Sequence, residues 1–136
     1  MNVIIVGCGR VGALLATNLA EKGHAVTVID PNAESFDRLP LDFKGRTVLG
    51  SGIDMDVQER AGVKHADALV ACTPGDNRNI AASQIAREIY RVPRVVARIN
   101  DPLRAEIFRD LGLRTVCPTL RGAELVREAL LRGQPA

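Results

Sequence analysis

The sequence has few of the side chains on which several common functions depend. Its 136 residues include three Phe, one Tyr and no Trp. Proteins that bind single-stranded nucleic acid stack the bases on aromatic rings, so this scarcity argues against a nucleic-acid partner. The net charge of +2 is also too small to indicate a polyanionic ligand.

Groups that bind metals or carry out catalysis are also scarce. Cys8, Cys72 and Cys117 are scattered and lack a C-x-x-C spacing, which argues against a disulfide framework and a zinc site. The two histidines, His24 and His65, lie in predicted turns that lead into strands. The sequence shows no Ser/His/Asp set, carboxylate pair or metal-ligand spacing. We therefore predict no catalytic residues, no metal site and no enzymatic activity.

Long apolar runs are absent, and the longest is far below the ~18 residues of a membrane-spanning helix. Met1 and Asn2 lead directly into an apolar strand, without the charged segment or cleavage site of a signal peptide. We expect a cytoplasmic protein that does not insert into the bilayer and that reaches a membrane only through a partner.

Short β-branched runs alternate with helical patterns along the chain. Six βα units of this length predict a single α/β domain with a doubly wound, Rossmann-like parallel sheet of strand order 3-2-1-4-5-6. The predicted strands are 2–6, 25–29, 46–49, 68–72, 94–99 and 114–117. The predicted helices are 10–22, 33–39, 54–62, 77–90, 102–111 and 119–132.

Residues typical of helix ends support these boundaries. Gly23 is predicted to end the first helix and Asp76 to cap the fourth. Asp101, followed by Pro102 at the first helical position, is predicted to open the fifth helix, and Gly112 to close it.

The last predicted helix is apolar over more than one face. A helix that lies on a sheet buries a single stripe, so the wider face indicates either tight packing on the sheet or contact with another subunit. We therefore divide the chain into a Rossmann-like unit over 1–117 and a C-terminal helix and tail over 118–136. The apolar residues of this helix are Leu120, Ala123, Leu125, Val126, Ala129, Leu130 and Leu131.

The most informative motif is Gly-Cys-Gly-Arg-Val-Gly at 7–12, between the first strand and the first helix. A G-x-G-x-x-G in this context is typical of nucleotide-binding sites. Gly7 permits a tight turn, Gly9 lets phosphates approach the backbone, and Gly12 lets the helix pack close to the strand. The helix N-terminus then offers free N–H groups to the phosphates.

An acidic residue, Asp30, ends the second strand, where it can accept hydrogen bonds from both ribose hydroxyls. A 2′-phosphate would meet this carboxylate with like charge, and no Arg follows Asp30 before Arg38. The sequence therefore favours NAD or an ATP-type ligand over NADP.

A second polar cluster follows the fourth and fifth strands, on the same edge of the sheet. Thr73 lies beside the point where the strand order reverses, so we predict that it contacts the phosphates or the adenosine. Arg98 closes the fifth strand, where it either contacts the ligand or forms a surface ion pair. Asp76 and Asn77 are interpreted as helix-capping residues.

With these motifs, the sequence resembles the nucleotide-binding domain of the regulators of potassium conductance, the Trk/Ktr-type potassium uptake regulatory subunits. The resemblance covers nearly the whole chain. Besides 7–12, it is carried by Gly-His at 23–24, Val-Ile-Asp at 28–30, and Ala-Arg-Ile-Asn-Asp-Pro at 97–102.

The resemblance implies a homodimer that assembles into a cytosolic ring under an integral membrane potassium channel or transporter. It also implies that bound ATP, ADP or NAD(H) gates potassium transport. By motif, Gly7, Gly9, Arg10 and Gly12 would hold phosphates and Asp30 the ribose. Thr73 and Arg98 would then lie at the far side of the ligand. Cys8, Val11, Ser51 and Gly52 complete the predicted cofactor-binding set.

The sequence departs from the family pattern at two places, one after the third strand and one at the start of the C-terminal helix. Gly-Ser-Gly-Ile at 50–53 stands where the family usually has Gly-Asp-Ala/Gly-Thr, whose Asp contacts the adenine edge. Thr119 stands where some members have an acidic residue that binds a cation between subunits. The family's C-terminal lobe does not follow within these 136 residues.

Two functions remain open from the sequence. The first is nucleotide-sensing regulation of potassium transport, and the second is the cofactor-binding domain of an NAD-dependent oxidoreductase. The lack of acid–base residues at the binding edge favours the first. The choice between ATP/ADP and NAD/NADH stays open, because all four ligands share the adenosine and the free 2′-hydroxyl.

Overall fold

A computed structural model describes residues 1–133, so 134–136 of the predicted C-terminal segment lie outside the described residues. Within 1–133, six parallel strands form one sheet in the order β3-β2-β1-β4-β5-β6. This order confirms the predicted Rossmann-like fold. The strands are β1 (Asn2–Val6), β2 (Ala25–Asp30), β3 (Arg46–Leu49), β4 (Ala68–Ala71), β5 (Arg94–Arg98) and β6 (Arg114–Val116).

The strand register brings the carboxyl ends of the inner strands to one level. Val6 of β1 pairs with Ile29 of β2 on one side and with Ala71 of β4 on the other. Ala71 in turn pairs with Ala97 of β5. The loops that follow these strands therefore emerge side by side, with β1 and β4 flanking the point where the strand order reverses.

Helical segments lie close to the predicted ranges. The predicted helix 33–39 is a 3₁₀-helix, and the predicted helix 77–90 is an α-helix that continues into a π-helical turn. The segments are α1 (Arg10–Glu21), a 3₁₀-helix (Ala33–Arg38), α2 (Met55–Arg60), a 3₁₀-helix (Val63–His65), α3 (Asp76–Gln84), a π-helical turn (Ile85–Ile89), α4 (Pro102–Asp110) and α5 (Pro118–Leu131).

Both faces of the sheet are buried, which explains the continuous apolar runs of the inner strands. Along β1, Val3 and Ile5 pack into one apolar cluster, while Ile4 and Val6 pack into the other. The first cluster contains α1 residues such as Ala13 and Ala16. The second contains apolar residues of α2, α3 and α4.

The helix ends confirm most of the sequence predictions and correct two of them. Gly23 follows α1 with φ +90°, and Asp101 caps α4 by accepting from the Leu103 N–H at 3.1 Å. The predictions that Asp76 and Asn77 cap α3 are wrong, because Gly75 occupies the cap position. The Asp76 carboxylate instead accepts from the backbone N–H groups that follow β5.

The last helix, α5, contributes no buried residue within the described part of the chain. Val126, Leu130 and Leu131 are 69%, 78% and 75% exposed. The apolar face predicted from the sequence is therefore uncovered in a single copy. Among residues 1–133, no helix combines the length and the hydropathy needed to cross a membrane.

Candidate functional site

The glycine-rich loop between β1 and α1 has the close backbone packing that its sequence predicts. Gly7 has φ +105°, and its N–H donates to the Ile29 carbonyl of β2 at 2.8 Å. A Cβ on Gly12 would overlap the Gly7 carbonyl oxygen and would lie 3.2 Å from the Cys72 sulfur. Any side chain at Gly12 would therefore push the N-terminus of α1 away from the sheet edge.

Gly9 differs from Gly7 and Gly12, because the side of its backbone that would carry a Cβ faces free space. Among the described residues, no heavy atom lies within 4 Å of the position that a Cβ would occupy. Gly9 directly precedes α1, and its side chain cannot cap the helix. The free N–H groups of the first turn are therefore accessible to an anion.

Asp30 joins the end of β2 to the glycine-rich loop. One carboxylate oxygen accepts from the Cys8 N–H at 2.9 Å, and the other accepts from the Asn32 N–H at 2.9 Å. Each carboxylate oxygen has a second acceptor position, so these bonds still leave capacity for ribose hydroxyls. Asp30 thus supports the loop, a structural role that the sequence motif does not reveal.

Arg38 also reaches the glycine-rich loop, although it is distant from it in sequence. Its guanidinium donates to the Cys8 carbonyl at 3.3 Å, which places a positive charge near Asp30. The sequence argument against a 2′-phosphate relied on the distance of Arg38 along the chain. Because the chain between them folds back, the separation of Arg38 from Asp30 along the sequence does not keep this positive charge away from the carboxylate.

A cleft of about 240 Å³ opens beside the loop, between the ends of β1, β2 and β4 and the loop after β3. Its lining brings together four predicted site residues and five that the sequence analysis did not select, of which one, Arg78, is charged. The lining residues are Val6, Gly7, Ile29, Pro31, Ser51, Gly52, Ile53, Thr73 and Arg78.

The loop after β3 is pressed against β1. A Cβ on Gly52 would overlap the Val6 side chain, which explains why glycine is needed here. The Gly52 carbonyl accepts from the fully buried Gln58 amide at 2.8 Å, and the same amide donates to the Ala82 carbonyl at 3.1 Å. Gln58 therefore holds one wall of the cleft against α3.

Thr73 lines the cleft, but its hydrogen-bond donors are already used. Its N–H and its hydroxyl both donate to the Asn79 side-chain oxygen, at 2.9 and 2.7 Å. The hydroxyl also accepts from the Gly75 N–H at 3.2 Å. A phosphate needs donors, so this geometry favours a contact from Thr73 to the adenosine part of a ligand.

Asn79 is fully buried and links the ends of β4 and β5. Besides the two bonds from Thr73, its amide donates to the carbonyls of Thr73 and Arg98, each at 2.8 Å. No other side chain in residues 1–133 contacts both of these predicted site residues in this way. The sequence indicates this role of Asn79 only by placing an amide side chain in the first turn of a predicted helix at the binding edge.

The remaining predicted residues lie at the same edge but outside the cleft lining. Arg98 donates from Nε to the Asn100 side chain at 3.2 Å. Arg10 is exposed in the first turn of α1, and Val11 beside it is 50% exposed. Cys8 is fully buried, so only its backbone takes part in the loop.

The two cysteines behind the loop are protected thiols. Burial raises the pKa of the Cys72 thiol to about 11, despite the opposing effect of Arg98. Burial and then the Asp30 carboxylate raise the pKa of Cys8, which Arg38 opposes. Both groups are therefore protonated at neutral pH. In the described part of the chain, no three His, Cys, Asp or Glu side chains are grouped as metal ligands.

Comparison with known proteins identifies relatives of this chain. A family model described as the TrkA-N domain matches residues 3–118. A relative from Streptomyces coelicolor, named "Trk system potassium uptake protein TrkA", is 46% identical over 131 residues. The match covers 96% of this chain but only 59% of that protein, so the chain spans less than two thirds of its relative.

Solved structures share the fold over almost the whole chain. The C-terminal domain of a Kef protein from Shewanella denitrificans, solved in an AMP-bound form, has a TM-score of 0.82 and 27% identity. This match covers 98% of the present chain and 83% of that one. The TrkA-N domain of the inner membrane protein YbaL from Escherichia coli has a TM-score of 0.83 and 23% identity, and covers 95% and 96% of the two chains.

The Asn79 network generates a stability prediction. Replacing Asn79 with Ala leaves the Thr73 N–H and two carbonyls without their buried partner, and we expect it to lower the free energy of unfolding by ~2–5 kcal/mol. Urea denaturation measures this change. Asn77→Ala is the control, since Asn77 is exposed on the same turn, and we expect a change within ~0.5 kcal/mol. A loss below ~1 kcal/mol in Asn79→Ala would contradict the assigned role.

The thiol environments generate a reactivity prediction. At pH 8 a thiol with a pKa of about 11 is only ~0.1% thiolate, and Cys8 and Cys72 are also buried. We expect Ellman's reagent to modify one thiol of the folded chain quickly, the partly exposed Cys117. The fast phase should disappear in Cys117→Ser, and reaction at Cys72 should accelerate as the pH rises towards 11. Three fast thiols at pH 8 would contradict the structure.

Proposed function

The chain belongs to the TrkA-N domain family, and from this premise we propose that it is a nucleotide-sensing regulatory domain of a potassium transport system. An adenine nucleotide, either ATP/ADP or NAD/NADH, is the ligand. Its binding gates an integral membrane channel or transporter, and the domain lies at the cytoplasmic side of that partner. The observation that carries the proposal is the accessible N-terminus of α1 beside the Asp30 carboxylate.

The phosphates occupy the N-terminus of α1 in this proposal. The open side of Gly9 lets them approach the free N–H groups of the first turn, and the helix dipole favours their negative charge. Arg10 is exposed in the same turn, and no carboxylate within residues 1–133 forms an ion pair with it. A cation at a helix N-terminus is unfavourable unless an anion is near, so Arg10 fits a phosphate contact.

The position of the phosphates determines where the ribose and the base of the ligand lie. Asp30 accepts from the ribose hydroxyls with the acceptor positions that its two backbone bonds leave free. The base enters the apolar cleft bounded by Pro31, Ile53 and Thr73. The AMP-bound form of the Kef domain supports a ligand of this size and chemistry on the same fold.

The regulatory interpretation is favoured over the oxidoreductase alternative by the family match. The Streptomyces coelicolor relative is named for potassium uptake rather than for a chemical reaction. The side chains at the predicted site offer hydrogen-bond acceptors and positively charged groups, which suit the binding of a nucleotide. A sensor of this kind needs no acid–base pair, because its output is a change of conformation.

A second copy of the chain is the partner that we propose for α5. Residues 1–117 form the nucleotide-binding unit, and the segment from 118 onwards forms the contact between subunits of a homodimer, which in turn assembles into a ring. The exposed apolar face of α5 supports this, since a patch of this kind marks an interaction surface. On α4, Leu103, Ile107 and Leu111 add exposed apolar surface at a spacing of four residues.

The ribose assignment is tested with the ligand as well as the protein, because Asp30→Ala also removes the support of the loop. We expect wild type to bind ADP about five- to thirtyfold more tightly than 2′-deoxy-ADP in calorimetric titrations. In Asp30→Ala this preference should fall to about one. Asp37→Ala removes the same charge from a nearby exposed position and should keep the preference. An equal loss for both ligands in Asp30→Ala would leave Asp30 with a supporting role only.

The subunit contact is tested by a charge on the apolar face of α5. We expect wild type to be at least a dimer at tens of micromolar in light scattering, and Val126→Asp to be a monomer, because a buried carboxylate without a partner is costly. Arg127→Asp places a carboxylate on the polar side of the same helix and should leave the assembly intact. A monomeric wild type at this concentration would overturn the proposed contact.

A further inference from the structure

The cleft beside the glycine-rich loop has the character of a pocket for a flat, weakly polar group. Its apolar side chains are Val6, Ile29, Pro31 and Ile53, and none of its nine described lining residues is acidic. The donors of Thr73 are used by Asn79. A phosphate in this cleft would lose its water and gain few hydrogen bonds, whereas an aromatic base would bury its faces.

Arg78 is the only charged residue among those that line the cleft in the described chain. Its stem lies over Gly75, where a Cβ would be 3.6 Å from the Arg78 Cδ. Within residues 1–133, no carboxylate oxygen lies within 4 Å of its guanidinium, since the ion pairs involve Lys64, Arg87 and Arg121. Arg78 is exposed and lacks an ion-pair partner in this part of the chain, so its guanidinium is available to a ligand in the cleft that the residue lines.

The position of Arg78 is unfavourable for the free protein. It lies in the first turn of α3, where the helix dipole disfavours a cation, as it does for Arg10 on α1. Neither helix propensity nor capping requires arginine at this site. A ligand that attracts a guanidinium would compensate for this arrangement.

The first turn of α3 is held rigidly at the sheet edge. Asn79 ties it to the ends of β4 and β5. On the other side, the Asp76 carboxylate accepts from the N–H groups of Asn100 at 2.7 Å and Asp101 at 3.0 Å. Arg78 therefore projects from a fixed backbone, so a ligand that binds it does not have to order the loop that carries it.

We propose that Arg78 binds the purine base of the nucleotide by stacking its guanidinium on the face of the ring. This inference rests on the proposed function and adds a residue that determines how the base is held. Guanidinium groups stack on aromatic faces. The amino edge of adenine presents a donor beside the N7 acceptor, so a guanidinium, which has only donors, cannot match both groups, whereas it can stack on the whole face of the ring.

The test separates a base contact from a phosphate contact. AMP, ADP and ATP share one base and differ in charge. In calorimetric titrations we expect Arg78→Met to bind all three about three- to tenfold more weakly than wild type, by the same factor for each. The factor should be similar at ~50 and ~300 mM salt, since salt screens exposed charge contacts more than stacking.

Two further variants control for charge and folding. Arg78→Lys keeps the charge but lacks the planar group, so we expect it to bind as weakly as Arg78→Met. Arg109→Met changes an exposed arginine of α4 and should bind like wild type. Thermal unfolding of each variant shows whether the fold is retained, and Arg78→Lys serves as the test if Arg78→Met is destabilised.

Several outcomes would overturn the proposal, and they differ from a failure of the proposed function. A loss that grows from AMP to ATP and shrinks with salt would mean that Arg78 meets phosphates. Full affinity in Arg78→Lys would mean that charge alone matters. Unchanged affinity in Arg78→Met would place the residue outside the site. If wild type bound neither these three nucleotides nor NAD or NADH, the proposed function itself would fail.

Discussion

The site depends on one close contact, in which the backbone of Gly12 packs against the carbonyl of Gly7. This contact leaves no room for a side chain at Gly12, and it also brings Cys72 of the β4 end against the start of α1. The N-terminus of α1 is thereby held at the point where the strand order reverses. Without it, the free N–H groups of α1 would not lie at the same sheet edge as the Asp30 carboxylate and the cleft.

Around this contact, the structure uses polar side chains to fix the backbone, and two of them, Gln58 and Asn79, are fully buried. Asp30 holds the glycine-rich loop, Gln58 holds the loop after β3, and Asn79 holds the ends of β4 and β5. A buried hydrogen-bonded group is costly to disrupt, so each one makes the edge more rigid. Preorganisation of this kind lowers the entropy lost on binding. It suits a domain whose proposed role is to convert ligand binding into a change of assembly.

The uncovered face of α5 gives the proposed sensor a route for its output. The nucleotide site is built by loops between β1 and β5, whereas α5 follows β6 and contributes no buried residue in the described chain. In the proposed dimer, a change at the sheet edge would reach the partner through this helix. Coupling of this type requires that the ligand favour one arrangement of the two subunits over another.

The sequence by itself determined the strand order, the position of the glycine-rich loop and the position of Asp30 at the end of β2. It could do so because apolar runs, glycine spacing and strand ends are local patterns. Local patterns also indicated Gly23 and Asp101 as helix-end residues. Only the tertiary structure decided what Asp76 and Asn79 bond to, and that Arg38 lies at the glycine-rich loop and Arg78 at the cleft. Their partners lie on other strands and loops, at distances that sequence separation does not reveal. Asp76 illustrates the reason: its helix position suggested a cap, but the register of β5 brought two better-placed N–H groups within 3.0 Å.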